Sequence, residues 1–173
     1  MRRFFALFAG LCCLHAQPSF GAQPAAFQIE CKEAGTLTAR AEGGKTILSI
    51  KGGSGIGRAT VRRSVEPWPQ EIVVRAYLGG LEHLAISNSD VTLSASVLSH
   101  SGNRRLLHLK RDGKEGPALE KGSPYWMEIQ TLDAAGKPVN GLPPKGGWFE
   151  MAVPKALLTE ARELGLEWID FYR

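Results

Sequence analysis

Apolar and polar residues alternate along most of this chain with a period of two. Between Val91 and Ser99 the apolar positions are Val91, Leu93, Ala95 and Val97, with Thr92, Ser94 and Ser96 between them. That pattern puts one side of an extended strand in a core and the other in water. Ile72 to Leu78 repeats it through Ile72, Val74, Ala76 and Leu78, and Phe149, Met151 and Val153 alternate against Trp148, Glu150 and Ala152. Weaker runs cover 27–32, 46–51, 59–63, 81–87, 106–110 and 125–132.

The separators are turn chemistry: Gly43-Gly44, Gly52-Gly53, Gly79-Gly80, Asn88 to Asp90, Asp112-Gly113 and Gly146-Gly147. Glycine accepts positive φ, and Asn or Asp side chains bond to nearby backbone. About nine to eleven short strands at this spacing predict an all-β, jelly-roll-like antiparallel β-sandwich. One short helix is expected from Lys155 to Glu163. Pro154 suits its first turn, Leu157, Leu158 and Ala161 form its apolar stripe, and Gly165 ends it. A final strand from Leu166 to Arg173 changes phase, with Leu166 and Trp168 on one side and Ile169 and Phe171 on the other. A bulge or burial on both sides would produce that change.

The first residues do not fit this pattern. Met1-Arg2-Arg3 is basic, and Phe4 to Leu14 is an unbroken apolar run. A membrane-spanning helix needs roughly 20 apolar residues, so the run is too short to cross a bilayer. A basic tip, a short apolar run and small residues beyond it predict a secretory signal peptide. Cleavage is expected between residues 16 and 22, which assigns 1–22 to the leader and 23–173 to one β-sandwich domain. Leu11 before Cys12 does not match the small residue that precedes a lipidated cysteine. The mature chain is then exported, periplasmic or extracellular, with no transmembrane segment.

Losing Arg2 and Arg3 takes two positive charges from the net +4 of the full chain. The remainder is too weakly basic, and its arginines too scattered, to predict nucleic-acid binding. Only Cys31 remains after cleavage, so no internal disulfide is expected. Its surroundings on the first strand suggest a small apolar residue.

Candidate chemistry narrows mostly by elimination. Gly52 to Gly57 is glycine-rich, but a phosphate-cradling loop should open a helix, and Arg58 to Arg62 reads as a strand. His83, His100 and His108 match no zinc spacing, and no Gly-x-Ser-x-Gly elbow is present. No cofactor or metal is expected. The aromatics stand out. Trp148 alternates against Phe149, and Trp126 against Met127, with Tyr125 beside it. Outward Trp126, Trp148 and Tyr125 would stack on sugar rings or anchor a protein. Trp68, between Pro67 and Pro69, reads as a rigid loop plug.

Several segments carry a resemblance: Ser54-Gly55-Ile56-Gly57, Trp68 to Arg75, Gly80-Leu81-Glu82-His83, Tyr125 to Ile129 and Glu167 to Arg173. Over roughly 47–173 the chain resembles a group of exported bacterial proteins of uncharacterised function. The strand density and aromatic last strand also resemble galactose-binding-like jelly-roll modules. Both resemblances imply a fold and no catalytic residues. The expectation is therefore a non-catalytic binding module for an envelope glycan or protein partner. Alternatives are an assembly component of an envelope complex, or an envelope-polymer hydrolase built on His83, His100 or His108.

Overall fold

The computed structural model describes residues 27–170 apart from 65–66, 78–79, 98–104 and 160. Residues 1–26, which hold the expected leader, together with His100 and Phe171 to Arg173, lie outside the described residues. The expected β-sandwich is the observed fold. In one sheet, β1 (Phe27–Glu33), β4 (Gly55–Arg63), β13 (Glu163–Asp170), β6 (Leu81–Ser87), β7 (Val91–Val97), β8 (Arg105–Arg111) and β9 (Lys114–Ala118) lie side by side in that order. The second sheet orders β11 (Pro138–Val139), β10 (Ile129–Leu132), β12 (Trp148–Ala152), β5 (Ile72–Tyr77), β3 (Lys45–Lys51) and β2 (Thr36–Glu42).

The alternation read from the sequence decides which side of each strand is buried. Leu84, Ile86, Leu93, Leu164, Leu166 and Trp168 project from the first sheet and are buried. They belong to the same core as Leu48, Ile50, Ile72, Val74, Phe149 and Met151 of the second. Each such large side chain stabilises the fold by about 1.5–3 kcal/mol relative to exposure. Two tight hairpins form where glycine turns were expected. Gly43 and Gly44 carry φ of 57° and 82° between β2 and β3, and Asp112 and Gly113 carry 49° and 76° between β8 and β9. Positive φ at both central residues matches the right-handed twist of the flanking strands.

Four details depart from the sequence reading. First, β3 and β5 pair in parallel, because the chain visits the opposite sheet as β4 before returning. Second, two strands lie outside the runs read from the sequence: β2, where Leu37, Ala39 and Ala41 alternate with Thr36, Thr38, Arg40 and Glu42 but two of the three apolar positions are alanine, and β9, whose Lys114 to Ala118 shows no period. Third, the helix α1 covers only Lys155–Leu158. One turn is enough to bury Leu157 and Leu158. Thr159 then leaves the helix in an extended conformation, with φ of −61° and ψ of 128°, and the Trp68 indole N–H donates to the Ala161 carbonyl at 2.5 Å. Gly165 consequently lies inside β13, which starts at Glu163. Fourth, Tyr125 to Glu128 precede β10 as a turn and loop, and only 129–132 is strand. The last strand keeps one phase, with Leu164, Leu166, Trp168 and Asp170 all buried. Its pairing with β6 shifts register between Ile169 and Asp170.

Candidate functional site

Strand β13 lies in the interior of the seven-stranded sheet, antiparallel to β4 on one side and β6 on the other. Its buried side faces the core, so Glu163, Gly165, Glu167 and Ile169 face away from it. Register places Glu30, Thr60, Gly165, Ser87 and Thr92 on one line across five strands. The next line on the same side is Lys32, Arg58, Glu167, Ala85 and Ser94. With no side chain at Gly165 and a methyl at Ala85, the middle of this surface is low and its edges stand high. The result is a groove of about 410 Å³ with Thr60, Ser87 and Thr92 hydroxyls along its floor.

A second depression of about 390 Å³ shares Ser87 and Gly165 with the first and continues to Asn88, Ser89 and Arg162. Together they follow β13 from Glu167 back to Glu163, a length of about 13 Å at the rise of an extended strand, and reach Arg162 just before it. Both volumes lie in the range of ligand sites.

The high edge of the first depression is a chain of ion pairs. Arg58 donates to Glu33 and Glu167, each at 2.6 Å. Lys32 lies 3.1 Å from Glu30, and Arg62 2.9 Å from Glu163. The hydrogen bond to Glu167 raises the Arg58 pKa above its ordinary value, and the one from Lys32 lowers that of Glu30. Exposed pairs of this kind add little stability. Their effect here is on charge, since each places a carboxylate against a cation beside the groove, and Arg58 is met by two.

The three aromatic side chains expected to bind fall in two places. Tyr125 and Trp126 occupy the loop between β9 and β10. The Arg111 guanidinium donates to the Tyr125 hydroxyl at 3.2 Å, and both rings pack half-buried against the core. Trp148 lies half-buried on the outer side of the second sheet. Its ring is 5.8 Å from that of Tyr77 and 5.8 Å beneath the Arg75 guanidinium. Among the described residues no ring contact joins Trp148 to Tyr125 or Trp126. The indole N–H groups of Trp126 and Trp148 are enclosed, with no hydrogen-bond partner among the described residues. Trp68 is buried as expected, stacked 5.9 Å from Phe27.

Around Trp148 the charges form a second network. Arg75, with its side chain 16% exposed, binds Glu150 at 2.7 Å and Glu42 at 2.9 Å. The Arg75 hydrogen bond is the largest cause of the lowered Glu42 pKa, with Arg40 adding to it. A depressed carboxylate stabilises the fold above its unfolded pKa of about 4.3, and the stabilisation fades as pH falls through the lower folded value. With Glu42 largely solvated, screening limits this to about 0.5 kcal/mol. Chemical denaturation from pH 7 down to pH 3 should therefore show a shallower acid loss in Arg75→Gln than in the parent. Equal slopes would remove the Arg75–Glu42 coupling from the account.

His83 and His108 stand on β6 and β8, with His108 opposite Ser94. Among the described residues neither hydrogen-bonds to a carboxylate or hydroxyl, and no three His, Cys, Asp or Glu side chains gather as a metal site. Cys31 is exposed, contrary to the apolar role expected of it. Its Sγ accepts the Leu37 N–H at 3.2 Å across the β1–β2 corner.

These observations define a β-sandwich with a small-residue groove on one outer surface. Comparison with protein-family models, curated proteins and solved structures returned no match.

Proposed function

We propose that this chain is a non-catalytic binding module that takes an extended, polyhydroxylated ligand along β13, a glycan chain of the cell envelope. The observation that carries the reading is the pair of adjoining depressions over Gly165, lined by hydroxyls and edged by ion pairs. Sugar hydroxyls both donate and accept, as Ser and Thr hydroxyls do. A secretory leader accords with a periplasmic or extracellular ligand of this kind.

Filling the groove tests the reading. A Cβ at Gly165 would stand 2.6 Å from the Ser87 hydroxyl oxygen and open otherwise. Gly165→Val combined with Ser87→Ala therefore puts a branched side chain on the floor and removes the one atom close to its Cβ, and valine suits a strand better than glycine. On an array of envelope glycans, the parent should bind and the double variant should lose at least about tenfold in affinity, or 1.4 kcal/mol, at an unchanged melting temperature. Full binding by the filled variant would exclude the groove. If Trp148→Ala then abolished that binding, the site would move to the Tyr77–Trp148 surface, where the half-buried ring pair is the observation in its favour.

A further inference from the structure

The two halves of the groove differ in charge. In the half over Thr60, the cations Lys32 and Arg58 are both taken by carboxylates. In the half beyond Gly165, Glu163 is held by Arg62, while Arg162 lines the depression exposed and without a partner among the described residues. The polar neighbours there do not supply an anion to it. The Asn88 side-chain oxygen accepts the Asp90 and Val91 backbone N–H groups, and its amide donates to the Leu157 carbonyl. Asp90 belongs to the same hairpin and is exposed, and it makes no ion pair with Arg162.

We infer that the ligand is an oligosaccharide carrying an anionic group at one end, with its uncharged sugars over Thr60 and Ser87 and its carboxylate or phosphate at Arg162. This rests on the groove being the binding site. A guanidinium presents a planar fork of donors that matches a carboxylate or phosphate with two parallel bonds. A ligand charged along its whole length would instead meet Glu30 and Glu167 in the first half, where every nearby cation is already neutralised. The charge distribution thus fixes the direction of the chain as well as its class.

The test uses matched probes: cellotetraose and chitotetraose against the corresponding aldonic acids, which differ by one terminal carboxylate, with phosphate-capped versions alongside. Titration calorimetry on the parent should show the anionic member of a pair bound about tenfold tighter, the worth of one charge-assisted contact. Whichever cap gains more identifies the anion. Arg162→Gln, an exposed substitution that leaves the fold intact, should bring the two members within about twofold while the neutral affinity stays put. Equal binding of neutral and anionic probes by the parent, or a preference that survives Arg162→Gln, would overturn the inference and leave the groove standing. Binding that persists in the Gly165→Val, Ser87→Ala protein, or no binding of any probe by the parent, overturns the groove and the inference together.

Discussion

Trp168→Ala is expected to destabilise the protein by about 4 kcal/mol, within the range for removing a buried tryptophan. The indole is fully buried, at 0% exposure, on a strand in the interior of the larger sheet. It pairs with Gly57 on β4 and Leu84 on β6, so the lost volume opens between strands whose backbones are locked in register. Locked neighbours collapse poorly, and an uncollapsed cavity adds to the lost transfer energy. The indole N–H is buried without a partner among the described residues. Trp168→Phe removes that donor and should cost clearly less than the alanine change. Urea denaturation of the three proteins checks both statements. If the phenylalanine variant is as unstable as the alanine one, the indole N–H has a partner after all.

Gly57→Ala should cost about 3 kcal/mol, at the upper end of what overpacking does. A Cβ there would overlap the Ala34 carbonyl oxygen and the Trp168 ring, both at 2.2 Å. One obstacle is backbone and the other is a ring with no free volume, so neither yields easily. The melting temperature should fall by about 10 °C at this domain size. Because the two substitutions act on one contact, they should not add. In a Trp168→Ala background the ring obstacle is gone and only the carbonyl remains, so the double variant should fall short of the sum by about 1 kcal/mol. Strict additivity would place the whole strain of Gly57→Ala at the Ala34 carbonyl.

Two glycines of the larger sheet therefore do opposite things. Gly57 faces inward and makes room for Trp168. Gly165 faces outward on the adjacent strand and leaves the floor of the groove open, with only a rotatable hydroxyl beside it. A substitution at the first should read out as stability, and at the second as binding. That separation lets the groove be tested without disturbing the fold.

The alternation of apolar and polar residues was enough to place most strands and their buried sides, since burial of one side of a strand is a local, period-two signal. The glycine and Asp-Gly turns are equally legible, because tolerance of positive φ belongs to the residue type. Edge strand β9 is not legible, having too little to bury to show a period, and edge strand β2 carries its period mainly on the small side chains of Ala39 and Ala41, with Leu37 the one large apolar residue. The sequence predicts too long a helix because Leu157, Leu158 and Ala161 share a helical stripe, whereas the backbone leaves the helix at Thr159 after one turn.

The candidate site divides along the same line. By itself the sequence marked Trp126, Trp148 and Tyr125 as the conspicuous side chains and showed that Thr92 and Ser94 face away from the core. It could not gather Glu30, Thr60, Gly165, Ser87 and Thr92, which span more than half the chain. Their convergence follows from strand order, with β13 inserted between β4 and β6. Strand order is a matter of long-range pairing that local periodicity does not encode. Composition and period thus determined the class of fold and the polarity of the interior strands. Only the tertiary structure decided which polar residues share one surface, and why the gap among them lies at Gly165.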